Sequence, residues 1–349
     1  MGGKTGNVLK RYLLPTCLMC VITLLIFLYL AEMESLALGF LLMAVLLFII
    51  NVSFRLLVSK GIKGTSKICK TIKGFLFLFI LLVNLTIAFS ATILLFSNEM
   101  FFYPNHDRES YEENQKFINY EEIHFNKDNK EFSGWLLKNE KGRAPLVIYF
   151  GGNGECSARR FHTNKKSNDW DYFEGYNFMM IDYPGYGNSK GTPSDESMFD
   201  MALMCYDYAI TREDVNSDNI VLMGYSIGTG VATYLASQRN IRGLILMAPY
   251  DEGISLYNSM LNIFHGPLKY LVRNKFESVK YAKSVDIQPL LLVSKADEII
   301  PYESSILLAD TFPNGSILHS LNGIKHNFFW GNKEVLENVN KYLQEVKYE

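Results

Sequence analysis

Cysteine is scarce in this chain, and acidic residues nearly vanish from its first part. Neither an internal repeat nor a low-complexity tract interrupts it. The five cysteines give little framework, because Cys17, Cys20 and Cys69 fall in the apolar first part. Cys156 and Cys205 are then the only pair in the remainder, and sequence leaves open whether they bond. Cys17 and Cys20 form a C-x-x-C with no second ligand pair nearby. In an apolar segment this reads as two small hydrophobes on a helix rather than a redox or zinc site. Residues 98–349 also lack a basic excess, with 25 Lys and Arg against 34 Asp and Glu, a net of −9. Without a basic patch, nucleic-acid binding is excluded.

What residues 1–97 do contain is apolar length and positive charge: nine Lys and Arg against Glu32 and Glu34, a net of +7. Three uncharged stretches, at about 12–31, 35–54 and 74–98, are each long enough to cross a hydrocarbon core, which takes about 20 helical residues. The first lacks a small-residue cleavage site and a second span follows almost at once, so it reads as a retained helix rather than a signal peptide. Asn51 and Asn84 lie within or near span ends, where they pack against neighbouring helices. Lys4, Lys10 and Arg11 precede the first span and six bases lie between the second and third, while only acids join the first two. The positive-inside rule puts the N-terminus and the basic loop in the cytoplasm. The expectation is a multi-pass protein of the cell (inner or plasma) membrane, with everything after residue 98 extracytoplasmic. A re-entrant middle span would instead leave that domain in the cytoplasm.

Residues 98–119 are polar and read as a linker; 120–349 form one domain, large enough for a full core. Glu121–Phe125 and Phe132–Leu137 suggest a leading hairpin. Pro145–Phe150, Phe178–Asp182, Ile220–Met223, Gly243–Met247 and Pro289–Val293 are short apolar runs of the kind buried on both faces. Helical patterns at Glu196–Thr211, Ile227–Gln238, Tyr302–Thr311 and Lys333–Val346 alternate with them. Such alternation predicts an α/β fold, a mostly parallel sheet with helices on both faces.

The chemistry sits at the strand ends. Gly224-Tyr225-Ser226-Ile227-Gly228 is a G-x-S-x-G between a strand and a helix. There the turn strains its central residue and exposes the hydroxyl at the helix's positive end. A serine needs a base, and His326, in the loop Gly323–Asn327 before the last helix, is the best placed of the six histidines. The base needs a carboxylate. Asp297, after the strand PLLLVSKA, is favoured; Asp251 and Glu252 are rivals, and Glu298 is expected to point elsewhere. An oxyanion needs two backbone donors, one from Ile227 and one from the loop Gly151-Gly152-Asn153-Gly154-Glu155. No G-K-[ST] follows that loop, which argues against a phosphate cradle.

Together YFGGNGE (149–155), DYPGYGNSKGTPS (182–194), GYSIGTG (224–230), KADEIIP (295–301) and GIKHNFF (323–329) resemble the α/β-hydrolase superfamily. The closest resemblance is to its membrane-associated Bem46-like and serine-aminopeptidase-like branches. The resemblance covers about residues 120–345. It implies an α/β-hydrolase fold, Ser226, Asp297 and His326 as catalytic triad, Asn153 and Ile227 as oxyanion donors, and neither cofactor nor metal. The 182–189 turn looks structural. Gly151-Gly152 stands where the family usually has His-Gly, which leaves the packing behind the loop open. Residues 251–287, rich in Tyr, Phe, Met and Leu, match the family's short cap, or are simply helix packed on the body. The implied function is a membrane-anchored serine hydrolase acting through an acyl-serine on an ester, thioester or amide. A small-molecule or lipid ester is favoured, with the bilayer as partner. An acyltransferase and an aminopeptidase-like peptidase are alternatives, and a non-catalytic binding module is disfavoured by the intact set of three residues.

Overall fold

A computed structural model describes residues 49–52, 54, 56, 58, 66–127, 130–139 and 142–348. The chain divides into two compact units, Met1–Ser97 and Asn98–Glu349. The expected first span and most of the second lie outside the described residues.

Among the described residues one helix, α1 (Lys67–Phe101), carries an apolar stretch, Lys67–Ser90, long enough to cross a membrane. The helix begins at Lys67 rather than Gly74, because lysine is a good helix former and its charge does not stop the winding. Phe75 (70% exposed) and Leu85 (57%) are bared along it. The core helix of a soluble protein would bury such residues. Ile80 packs with Ile50, Phe54 and Val58 of a preceding helical segment, and Asn84 Nδ2 donates to Asn51 Oδ1 at 3.0 Å. A polar pair of this kind is a common link between membrane helices.

The second unit is built on an eight-stranded sheet: β1 (Tyr120–Lys127), β2 (Lys130–Leu137), β3 (Ala144–Phe150), β4 (Asn177–Ile181), β5 (Val215–Tyr225), β6 (Gly243–Met247), β7 (Leu290–Ser294) and β8 (Ile317–Leu321). The spatial order is β1-β2-β4-β3-β5-β6-β7-β8. β1 and β2 form the expected hairpin, β2 pairs antiparallel with β4, and every other pairing is parallel. Residues of β4, β6 and β7 are buried at every position, so both sheet faces are covered there, as their unbroken apolar sequence requires. β3 and β5 are neighbours although β4 lies between them in sequence. The order reverses there, and the loops after β3 and β5 open side by side.

The helices are α2 (Arg108–Asn114), α3 (Ser157–Ser167), α4 (Asp195–Ala209), α5 (Ile227–Gln238), α6 (Gly253–Met260), α7 (Ser278–Ala282), α8 (Tyr302–Ala309) and α9 (Lys333–Tyr348). Ser194 caps α4 in a reciprocal capping box with Ser197.

The expected linker at 98–119 is corrected. It contains α2, capped by Asp107, whose side chain accepts from Ser110 N–H. Phe101 and Phe102 are buried in the body of the unit. Burial of two aromatic rings outweighs the polar average that suggested a tether. Cys156 and Cys205 are both buried free thiols, unbonded to each other.

Candidate active site

The turn after β5 has the geometry its sequence anticipates. Ser226 has φ 52° and ψ −122°, a conformation uncommon for any residue with a side chain. Its N–H donates to Met247 O at 2.9 Å and its carbonyl accepts from Thr229 N–H at 2.9 Å, so both neighbours fix the strained backbone. The flanking glycines are needed for closeness. A Cβ on Gly224 would sit 2.6 Å from Gly228 O, and one on Gly228 would collide with the carbonyl oxygens of Phe150 and Gly151. Ser226 therefore occupies the N-cap of α5 with its hydroxyl unused by the helix, beside the helix's positive end.

His326, in the loop after β8, brings Nε2 to 2.9 Å from Ser226 Oγ. Its Nδ1 lies 2.8 Å from Asp297 Oδ2 and 3.0 Å from Oδ1. Asp297 Oδ1 also accepts from the N–H groups of Ile299 and Ile300, at 2.9 and 2.8 Å. The side chains of His326 and Asp297 are 8% and 2% exposed, so water barely competes for the pair. Hydroxyl, imidazole and carboxylate thus touch in series, although Ser226 and His326 are 100 positions apart. The rival Asp251 is engaged elsewhere, accepting from Ser304 Oγ at 2.5 Å.

Glu298, expected to point elsewhere, leaves the imidazole to Asp297; its Oε2 instead accepts the backbone N–H of His326 at 3.1 Å. Tyr225, missed in the sequence, holds the same loop by donating from Oη to His326 O at 2.6 Å. Burial, then the negative charges of Glu155 and Asp297, push the Tyr225 hydroxyl upward, so it remains a donor. A tyrosine inside the G-x-S-x-G was the available signal, but its partner is distant in sequence.

Asn153 and Ile227 both line the cleft that holds Ser226 and His326. Neither backbone N–H is hydrogen-bonded to another group among the described residues. The loop carrying Asn153 is braced from behind. Glu155 Oε2 accepts from Gly152 N–H at 3.2 Å and from Tyr149 Oη at 2.8 Å, and its Oε1 pairs with Arg160. Burial works to lower the Arg160 guanidinium, but the Glu155 charge and hydrogen bond, together with Tyr149 and Tyr225, outweigh it and hold Arg160 above its ordinary range. Arg160 also lies 4.3 Å from the Trp330 ring centroid. This is the packing that replaces a histidine before the loop: a Cβ at Gly151 would meet Glu155 Oε2 at 2.8 Å.

The cleft has a volume of about 290 Å³, at the small end of small-molecule sites. Its apolar walls come from Phe101, Ile227, Leu256, Met260 and Ile299. Leu256 and Met260 belong to α6, in the segment expected as a cap. Tyr270 of that segment is instead 79% exposed. Phe101 comes from the segment expected as linker.

The profile of a family described as alpha/beta hydrolase fold matches residues 145–278. The chain is similar to the uncharacterized protein YfhR of Escherichia coli O157:H7, 30% identical over 183 residues, covering 51% of this chain and 63% of that one. It thus spans less than two thirds of that relative's length. Among solved structures it resembles Est1E from Butyrivibrio proteoclasticus, solved with ferulic acid bound, with a TM-score of 0.56 at 18% identity, covering 65% of this chain and 100% of that one. It also resembles the Pyrococcus furiosus esterase Pf2001, with a TM-score of 0.55 at 18% identity, covering 71% and 98%. Sheet order, the serine at the β5–α5 turn and the matched profile agree: the chain has the α/β-hydrolase fold.

Proposed function

We propose that this protein is a membrane-anchored serine hydrolase that cleaves a small acyl ester through an acyl-serine intermediate. The observation that carries this is the series Ser226 Oγ, His326 Nε2 at 2.9 Å and Asp297 Oδ2 at 2.8 Å from Nδ1. Ser226 Oγ attacks the ester carbonyl carbon while His326 Nε2 takes the hydroxyl proton, and Asp297 stabilises the imidazolium. The carbonyl oxygen becomes an oxyanion held by the N–H groups of Asn153 and Ile227, each worth about 3 kcal/mol in the transition state. The intermediate collapses, the C–O bond breaks, and the leaving alcohol receives the proton from His326. Water then repeats the cycle on the acyl-serine, releasing the acid and restoring Ser226.

Water access favours hydrolysis over transfer to an alcohol or amine. Tyr103, Met260 and Ile299, all lining the cleft, are 52%, 47% and 40% exposed, so the acyl-enzyme stands in reach of solvent. The apolar walls suit an acyl or aromatic acid, and the ferulic acid bound to Est1E and the esterase Pf2001 agree with that. A lipid ester is the version favoured by the exposed apolar face of α1. The Bem46-like branch, the three spans and the extracytoplasmic placement belong to the same reading, supported by the basic loop and by the Asn51–Asn84 pair.

A fluorophosphonate probe should label the full-length chain and leave Ser226→Ala unlabelled; equal labelling of both would sink the proposal. A panel of acyl esters of graded length beside aminoacyl amides, run with and without added alcohol, separates esterase, peptidase and acyltransferase. Protease shaving of intact cells tests the placement, which fails if the C-terminal domain is protected.

A further inference from the structure

We infer that residues 101–105 and Tyr186 form a clamp that positions the Asn153 backbone N–H as oxyanion donor, so this stretch is part of the active site rather than a tether. The inference rests on the serine-hydrolase reading and adds positioning residues to it.

Every polar atom of the Asn153 side chain is spent on the clamp. Nδ2 donates to Phe101 O at 2.6 Å. Oδ1 accepts from Tyr103 N–H at 3.0 Å and from Tyr186 Oη at 2.8 Å. Tyr103 N–H is shared with Tyr186 Oη at 3.1 Å, closing a three-membered ring of bonds. One residue past Asn153, Gly154 O accepts from Asn105 Nδ2 at 2.9 Å, and Asn105 O accepts from Gly187 N–H at 2.9 Å. The strap is fixed in turn by the Phe101 ring, stacked on Tyr257 of α6 at 4.2 Å and 9°.

This geometry assigns the amide and the backbone of Asn153 to different tasks. The amide faces the strap and leaves the oxyanion to the main chain. A glycine-rich loop has little stiffness of its own, yet a donor must be aimed before charge develops if it is to stabilise the transition state. The clamp supplies that stiffness through side-chain bonds from two separate segments. Tyr186, buried and remote from Ser226 in sequence, is thereby a positioning residue. The turn at 182–189, which looks structural in the sequence, acts on the reaction through it.

The test uses the full-length chain in detergent with a p-nitrophenyl ester, comparing Tyr186→Phe, Asn153→Ala and Asn105→Ala with wild type. A misplaced donor costs turnover rather than ground-state binding. Asn153→Ala should therefore lower kcat about 10- to 100-fold, with KM within about twofold. Tyr186→Phe, which removes two bonds, and Asn105→Ala, which removes one, should lower kcat by roughly 3- to 10-fold. Affinity for a boronic acid that mimics the tetrahedral state should fall in step with kcat, while affinity for the product acid should not. Thermal unfolding identifies any variant that fails to fold, and Asn105→Ala, at a half-buried position, then carries the test. Wild-type kcat and boronate affinity in the folded variants, or equal losses for boronate and product, would overturn the clamp alone. A wild-type chain neither labelled by fluorophosphonate nor active on any ester would overturn the hydrolase reading, and the clamp with it.

Discussion

Tyr225 Oη donates a 2.6 Å hydrogen bond to the carbonyl oxygen of His326, and the two rings lie 5.4 Å apart at 27°. The residue before the candidate nucleophile thus holds the backbone of the candidate base. The strand-to-helix turn and the loop after β8 cannot drift apart without breaking a buried bond. The N–H of the same residue is held by Glu298. The 2.9 Å contact between Ser226 and His326 is in this sense built into the backbone and not left to side-chain rotamers.

Tyr225→Phe should leave the His326 carbonyl buried without its donor. Unfolding free energy should fall by about 1–3 kcal/mol, and kcat should drop by about tenfold as the imidazole loosens. Denaturant titration and steady-state kinetics on the same preparation check both. Unchanged values would show the bond to be incidental.

Ser226→Gly and Ser226→Ala should both abolish fluorophosphonate labelling, but they should part in stability. Glycine takes φ 52° without strain, so Ser226→Gly should gain about 1–2 kcal/mol relative to Ser226→Ala, read as a melting shift of a few degrees. Equal melting temperatures would mean that the backbone at 226 is not strained in solution.

Gly228→Ala should be among the most damaging single changes in the domain. Its Cβ meets the carbonyls of Phe150 and Gly151, which are backbone and cannot rotate away. A loss of roughly 3 kcal/mol or more is expected. Soluble expression and far-UV circular dichroism with a thermal ramp report it. A wild-type melting curve would contradict the packing of α5 on β3.

Asp182 should give stability an unusual pH dependence. Burial pushes its carboxyl up to about 6 from 3.8, against the opposing bonds from Ser157 N–H and Oγ. Between those values the folded chain holds a proton that the unfolded chain has released. The group's contribution is complete below about pH 4 and is lost as pH rises through about 6, an effect of roughly 3 kcal/mol. Asp182→Asn cannot titrate. The stability of wild type minus that of Asp182→Asn should therefore fall from pH 4 to pH 7 in urea titrations, and a difference that stays flat or rises would refute the assignment.

Local patterns alone determined a good deal. Unbroken apolar runs located β3, β4, β6 and β7, because strands covered on both faces have no polar positions to spare. The glycines around Ser226 announced a close approach, and helix α5 has the bounds its pattern predicted, Ile227–Gln238. Ser226, His326 and Asp297 were each legible as strand-end residues of the right chemical type. Only the tertiary structure decided which carboxylate meets the imidazole, since Asp251 follows β6 while Asp297 and Glu298 share the loop after β7, where one meets the ring and the other the backbone N–H. It also gave the expected 98–119 linker two buried rings and a helix, α2. Composition averages over a segment, whereas two buried phenylalanines and one shared asparagine decide where it goes. The bonds of Tyr225, Tyr186 and Glu298 were invisible beforehand for the same reason: each joins residues far apart in sequence, and such partners are set by the sheet order rather than by neighbours along the chain.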